Sequence, residues 1–426
     1  MISLKIMLIY RNNIYRCTLK RVQETKIINN SLLWVIDSLL VYTTLTTAKA
    51  LNRFYSSASF ILNKNELGRY YKDAEKAGIL QPRIPDNVPF PCNLTGARSK
   101  KVPSSIHKLR PGDIDVIGAI GDSITAGMAM LSTNPIHLFL ENRGSSAIGG
   151  GQNSWRKYLT LPNILKEFNP NLIGYSQSDS FEFDASSEFN VAEAAAFSIN
   201  LPTMSRTLIE KMKNHSKVVI KKHWKMISIF IGSNDFCTLM CYLPSPWSIL
   251  KNHKKNLIQA LRLLRDNLPR TFVNLILPPN LKIISFMRER LLCDLYSKIV
   301  CSCLFGQRWL KRREEFFDIM TRYQEIEKEV AQYSEFQTEN FTVVAQPFLV
   351  NLTLPSKKSG SIDLSFLAND CFHLSQKSNA RAAVAIWNNL MEQEGQKSMN
   401  WGDTFKRFIC PTVKRPYFAT WKNSRK

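Results

Sequence analysis

Four short runs of consecutive apolar residues lie along the chain, separated by longer segments in which apolar residues recur at helical spacing. The apolar runs are residues 115–121, 224–232, 271–277 and 341–348. Runs of this length are typical of strands buried on both faces of a parallel sheet. The helical segments are residues 201–214, 253–268, 314–334 and 374–394. The alternation predicts an α/β fold, a three-layer α/β/α sandwich around a central, mostly parallel sheet with right-handed crossovers.

The apolar pattern also predicts where the domain begins. Residues 58–78 are charged and amphipathic and predict a helix, and four prolines within residues 81–92 then exclude regular structure. We therefore expect an extended strap over residues 81–110 that leads into the first strand. The chain has no internal repeat and no low-complexity tract, so residues 58–426 are predicted to form a single domain.

Residues 1–57 form an N-terminal extension with a candidate targeting segment at about residues 32–50. Residues 32–46 are mostly apolar, and Ala48-Lys49-Ala50 follows them as a small-x-small cleavage pattern. Asp37 interrupts the run, which is shorter than the roughly 20 residues that cross a bilayer. A signal peptide that starts later than Met1, a signal anchor and a wrongly assigned first exon all remain open.

The chain is strongly basic, with 57 Lys and Arg against 34 Asp and Glu and a net charge of +23. Such a surface favours anionic partners, including nucleic acid, glycans and acidic lipid headgroups. The basic residues are scattered, and no zinc-finger, RRM or helix-turn-helix pattern accompanies them, so we expect no nucleic-acid partner. A basic surface that is merely solvated is the simplest interpretation.

Cysteine usage favours an oxidising compartment. Apart from Cys17, the cysteines form an even set: Cys92, Cys237, Cys241, Cys293, Cys301, Cys303, Cys371 and Cys410. Eight cysteines without a zinc-ligand spacing predict disulfides, whose pairing stays open, and buried free thiols are the alternative. Glycosylation sequons begin at Asn93, Asn214, Asn340 and Asn351. A secreted protein, or one facing the extracellular side of a membrane, is expected.

Three strand-end motifs carry candidate chemistry. Ser123 follows the first predicted strand, where a following helix would offer N–H groups to a developing oxyanion. Asp370 lies three residues before His373, so its carboxylate could orient the imidazole as a base. Asn234 follows the second strand and could donate to an oxyanion. Each motif alone is an ordinary turn, but their order in one chain favours an acyl-transfer site.

The ordered set resembles the SGNH or GDSL hydrolase superfamily, whose fold is flavodoxin-like, and in particular its animal phospholipase B branch. The matching phrases are residues 81–92, 105–127, 159–175, 189–196, 370–375, 387–401 and 410–417. The resemblance implies Ser123 as nucleophile, His373 as base and Asp370 as its orienting acid. It implies an oxyanion hole made by Ser123 N–H, Ala195 N–H and Asn234. Phospholipid or lysophospholipid substrates, peripheral contact with a membrane or micelle surface, and no metal or organic cofactor follow from the same resemblance.

The chain departs from the family pattern at several positions. Ala195 stands where the family has a glycine, and a positive φ there would cost alanine energy that glycine avoids. Residues 143–150 lack a tryptophan expected beside the glycines, and residues 178–180 replace a glycine-bearing turn. Two alternatives therefore stay open. One is an esterase for neutral lipids, retinyl esters or carbohydrate esters, and the other is a catalytically weakened lipid-binding homologue.

Overall fold

A four-stranded parallel sheet forms the centre of the protein. The computed structural model describes residues 64–286, 291–403 and 406–424. Its strands are β1 (Ile114–Gly121), β2 (Trp224–Phe230), β3 (Thr271–Ile276) and β4 (Phe341–Gln346). They pair in the order β1-β2-β3-β4, all parallel, so the four apolar runs are confirmed as strands of one parallel sheet.

The free edge of β1 carries two further segments that the apolar pattern did not reveal. Ile117 N–H donates to the Ile173 carbonyl at 2.9 Å. Further along β1, Ala119 N–H donates to the Phe189 carbonyl at 2.9 Å, and the Ala119 carbonyl accepts the Val191 N–H at 3.0 Å. These contacts are single bridges rather than full strands, and they bring residues 189–191 beside the carboxyl end of β1.

Helices surround the sheet, and those at residues 64–76, 201–214, 248–267, 313–331 and 376–391 correspond to the predicted helical segments. They are α1 (Lys64–Lys76), α2 (Ser123–Ala126), α3 (Leu161–Phe168), α4 (Leu201–Asn214), α5 (Ser248–Asn267), α6 (Leu291–Val300), α7 (Ser302–Phe305), α8 (Arg313–Ala331), α9 (Gln376–Met391) and α10 (Trp421–Ser424). The largest difference lies in α5, which begins at Ser248 rather than at His253. Polar residues 251–255 obscured its first turn, in which Ile249 is the buried side chain.

The core lies on both faces of the sheet, which explains why the strands are apolar throughout. Alternate strand residues point to opposite faces. Ile117 and Met226 join one buried cluster with Trp387 of α9, whereas Val116 and Ile227 join a second. The predicted α/β/α sandwich is confirmed by this arrangement. Within the described residues, no helix has the length and apolar character needed to cross a membrane.

All eight cysteines of the even set form disulfides, so that prediction is confirmed. The pairs are Cys92–Cys410, Cys237–Cys301, Cys241–Cys303 and Cys293–Cys371. Every described residue falls within one of two compact units of the chain, Tyr55–Lys426. The candidate signal segment at residues 32–50 and the start of the predicted helix 58–78 lie outside the described residues.

Candidate active site

Ser123 is the first residue of α2 and follows β1 after a single residue, Asp122. The Asp122 side chain caps α2 by accepting the Ile124 N–H at 3.0 Å. A Cβ at Gly121 would collide with the Phe230 carbonyl and the Thr125 side chain, so only glycine allows α2 to start this close to β2. The turn presents Ser123 at the carboxyl edge of the sheet, where only 6% of its surface is exposed.

His373 lies between Ser123 and Asp370 and contacts both. Its Nε2 is 2.8 Å from Ser123 Oγ, and its Nδ1 is 2.5 Å from Asp370 Oδ2. The other oxygen, Asp370 Oδ1, accepts the backbone N–H groups of Phe372 and His373, each at 3.0 Å. One carboxylate therefore fixes both the imidazole and the backbone that carries it.

The electrostatics of the site favour a protonated His373 beside an ionised Asp370. Burial alone lowers the pKa of His373, but the Asp370 carboxylate opposes it and raises that pKa above the usual 6.5. Burial alone raises the pKa of Asp370, yet His373 and the two backbone N–H groups bring it below 3.8. Burial also raises the pKa of the nearby Asp122 to about 7. The imidazole can therefore accept a proton and keep it beside an ionised Asp370.

Asn234 follows β2 and is tied to the segment that contains Ala195. Its amide nitrogen donates to the Ala196 carbonyl at 2.9 Å. The next residue, Asp235, is fully buried and accepts both the N–H and the hydroxyl of Ser198, at 2.9 and 2.7 Å. At the other end of this segment, Glu193 N–H donates to the Gly121 carbonyl at 3.1 Å. These bonds bring the Ala195 segment beside the ends of both β1 and β2.

Ala195 has a φ of +59°, the left-handed conformation expected from its glycine-like position. An L-residue other than glycine pays about 1–2 kcal/mol there because its Cβ approaches the following carbonyl. Alanine in place of glycine at position 195 therefore costs conformational free energy at this one residue. The backbone conformation itself is kept.

Sequence reasoning missed a buried ion pair behind the site. The side chains of Arg143 and Glu141 are at most 1% exposed, and Arg143 Nη2 lies 2.7 Å from Glu141 Oε2. Arg143 also donates to the carbonyls of Asn190 and Ala192, at 2.9 and 2.7 Å. Asn190 in turn donates to the Thr125 carbonyl in α2 at 3.0 Å. The only sequence signal was a pair of opposite charges two residues apart beside a glycine-rich run.

A small apolar cavity lies close to the catalytic residues in the chain. It is lined mainly by Ile124, Phe230, Ile276, Phe348 and Leu374. Ile124 directly follows Ser123, and Leu374 directly follows His373.

Among the residues that the structure describes, no three His, Cys, Asp or Glu side chains come together as a metal site. The chemistry available from these residues is proton transfer and nucleophilic attack beside an apolar surface.

Residues 117–386 match the GDSL-like lipase/acylhydrolase family, and the chain belongs to that family. Within it, the chain is similar to "Phospholipase B1, membrane-associated" of Homo sapiens, with 34% identity over 331 residues that cover 77% of this chain and 22% of that protein. The Rattus norvegicus protein of the same name is 37% identical over 343 residues, covering 77% and 23%. The chain thus spans between a fifth and a quarter of the length of these relatives. The predicted resemblance to the phospholipase B branch is confirmed.

Among solved structures, the chain matches Est24, a carbohydrate acetylesterase from Sinorhizobium meliloti. It is 15% identical, the match covers 64% of this chain and 95% of that one, and the TM-score is 0.32. The fold class rests on the sheet and the helices described above.

Proposed function

We propose that this protein is a secreted, serine-dependent lipid esterase that hydrolyses acyl esters of phospholipids and lysophospholipids. The observation that carries the proposal is the continuous contact from Asp370 through His373 to Ser123, at 2.5 and 2.8 Å. A serine hydroxyl attacks an ester only when a base removes its proton, and a neutral His373 with Nδ1–H held by Asp370 is such a base.

The reaction would proceed in two steps. In the first, His373 Nε2 takes the Ser123 proton while Oγ attacks the ester carbonyl, and the same proton then goes to the departing alcohol. In the second, His373 deprotonates a water molecule that attacks the acyl-serine, and the fatty acid leaves as Ser123 regains its proton. The oxyanion of each step would rest on Ser123 N–H, Ala195 N–H and the Asn234 amide.

Lipid is the substrate class that the surroundings of Ser123 support. Ile124 and Leu374, which directly follow Ser123 and His373, line a small apolar cavity, so the neighbourhood of the serine is apolar. Relatives named phospholipase B1 point the same way. Esters of neutral lipids, retinol or carbohydrates are the alternative substrates on this fold. Contact with a membrane or micelle surface would bring the acyl ester to the carboxyl edge of the sheet.

One observation favours a second candidate, a lipid-binding homologue with weak turnover. Ala195 holds its left-handed conformation at a cost that glycine would avoid, so the proposed oxyanion hole is less stable than in a glycine-bearing relative.

A fluorophosphonate probe separates the two candidates. Wild type and a control variant at an exposed serine, Ser334→Ala, should label equally, and Ser123→Ala should not label at all. Labelling that persists in Ser123→Ala would remove Ser123 as nucleophile. Absence of labelling in folded wild type would favour the binding homologue.

A further inference from the structure

Three of the four disulfides converge on one short segment, α6 and α7, which spans residues 291–305. Cys293 in α6 bonds to Cys371. Cys301, directly after α6, bonds to Cys237, and Cys303 in α7 bonds to Cys241. The remaining disulfide, Cys92–Cys410, joins the strap to the C-terminal segment and involves none of these elements. We call residues 291–305 the clamp segment.

The partners of the clamp segment belong to the two halves of the proposed active site. Cys371 lies between Asp370 and His373 in the chain. Its disulfide therefore anchors residues 370–373, which we call the acid and base turn. Cys237 comes three residues after Asn234 and lies in the helical turn that begins at Asp235. The clamp segment therefore connects the turn that carries the base with the loop that carries an oxyanion donor.

The acid and base turn needs such support because it is strained. Cys371 has a φ of +57°, a conformation that costs a residue with a side chain about 1–2 kcal/mol. Two backbone bonds close the turn, from Cys371 N–H to the Ala368 carbonyl at 3.0 Å and from Ala368 N–H to the His373 carbonyl at 2.8 Å. A free Cys371 could leave the left-handed region and take the His373 ring with it.

We infer that Cys293 and Cys371 are positioning residues: their disulfide makes the clamp segment hold His373 at its working distance from Ser123 and Asn234. This inference rests on the proposed function. Misplacing a reacting group by about 1 Å costs on the order of 100-fold in rate. Loss of the disulfide should therefore lower kcat far more than it lowers substrate binding.

The test compares two double variants, Cys293→Ala/Cys371→Ala and the control Cys92→Ala/Cys410→Ala. Each loses one disulfide, but only the first should lose about 10- to 100-fold in kcat with little change in KM. Its pH–rate profile should also change, because a loosened Asp370 no longer raises the pKa of His373. The rise of activity at the acidic side of that profile, the acid limb, should therefore move to lower pH. A variant that loses stability alone would keep the wild-type pH profile.

Two outcomes would overturn the inference while the proposed function stands: equal kcat in both variants, or a wild-type acid limb in the first. Inactive wild type would instead defeat the proposed function. If the first variant does not fold, limited reduction of native protein followed by alkylation and mass spectrometry replaces it. Activity should then fall in step with opening of Cys293–Cys371, and activity that survives that opening refutes the clamp.

A second feature, independent of the first, is a basic surface at the amino ends of the strands, opposite the edge that presents Ser123. The strap and the loop before β2 supply its exposed cations, which are Arg98, Lys100, Lys101, Lys217, Lys221 and Lys222. The Trp224 indole N–H joins the start of β2 to the strap by donating to the Pro103 carbonyl at 3.2 Å. Arg270 donates to the Lys222 carbonyl at 2.9 Å, and Arg98 pairs with Asp115 at 2.7 Å. We call this surface the basic edge.

The location of the basic edge decides what it can bind. β1 has eight residues, so at about 3.3 Å per residue the basic edge lies roughly 26 Å from Ser123. A bilayer bound there would hold its own esters out of reach of the serine. The geometry points to a sulfated polysaccharide as the partner, a flexible polyanion that retains the protein while the catalytic edge stays open. Exposed cations from two adjacent segments suit such a chain.

Retention on heparin tests this partner. Lys221→Glu/Lys222→Glu should elute at clearly lower salt than wild type, whereas Lys251→Glu/Lys255→Glu, with the same charge change at exposed positions on α5, should elute close to wild type. Equal shifts in both variants would reduce the effect to net charge and overturn the assignment. So would a Lys221→Glu/Lys222→Glu protein that keeps heparin retention but no longer sediments with phosphatidylserine vesicles.

Discussion

The Asp370 carboxylate makes three hydrogen bonds, and replacing it with an amide would break the one on which catalysis depends. In Asp370→Asn, the amide oxygen can still accept the backbone N–H groups of Phe372 and His373. The NH₂ group would then face His373 Nδ1 and can only donate. The imidazole must therefore carry its proton on Nε2, which leaves no lone pair for the hydroxyl of Ser123.

The expected loss is large because the base is held in the wrong tautomer. In Ser-His-Asp triads this change lowers kcat by about 10⁴, equivalent to about 5.4 kcal/mol at 1.36 kcal/mol per decade. The acid limb should move as well. Wild-type activity should rise with pH through a midpoint above 6.5, since His373 must be neutral and its pKa is raised. Without the Asp370 charge, burial would lower that pKa.

The assay is kcat/KM for a soluble p-nitrophenyl ester across the pH range. Asp122→Asn is the matched control, because it removes a neighbouring buried carboxylate while its amide oxygen can still cap Ile124. We expect Asp122→Asn to retain activity within about tenfold of wild type, since it makes no contact that sets the tautomer. An Asp370→Asn protein that is folded and within tenfold of wild type would refute the reasoning.

Three further predictions follow from the same geometry. Asn234→Ala should lower kcat by about 10²–10³ through loss of one oxyanion donor, and an unchanged kcat would remove Asn234 from the site. Ala195→Gly should leave the free energy of unfolding unchanged or raise it by about 1 kcal/mol, because relief of the left-handed strain offsets the added entropy of the unfolded chain. Chemical denaturation measures this free energy, and a decrease of about 1 kcal/mol would contradict the prediction. Arg143→Ala should destabilise the fold by about 3–5 kcal/mol by leaving Glu141 buried and unpaired, whereas Arg143→Met/Glu141→Leu should cost less, and equal costs would oppose the argument.

The sheet and its main helices were predictable because burial on both faces leaves a simple trace in the sequence. Apolar runs such as residues 224–232 and 341–348 need no knowledge of their partners to be assigned as strands. Ser123 and Asn234 follow strands, and the carboxyl ends of parallel strands share one edge. His373 and Asp370 come from a motif that is local in sequence. The contact of His373 with Ser123 spans 250 residues, and it was expected from the order of the three motifs and from the family resemblance.

The features that sequence reasoning missed depend on pairing between distant residues. The bridges at Ile173 and Asn190 involve single residues, which leave no periodic pattern. Disulfide connectivity among eight cysteines cannot be deduced from spacing, so the clamp segment emerged only from the fold. A buried Arg143 is also unusual, since charged residues are rarely buried without a partner. Its partners, Glu141 and the carbonyls of Asn190 and Ala192, come together only in the folded chain.

The central claim is that Ser123 is the nucleophile of a lipid esterase, and release of fatty acid tests it most directly. The measurement uses purified protein secreted from eukaryotic cells, with phosphatidylcholine and lysophosphatidylcholine as substrates and Ser123→Ala beside wild type. The account predicts fatty acid from wild type and none above background from Ser123→Ala. Release that persists in Ser123→Ala, or no release from either lipid by folded wild type, would contradict it.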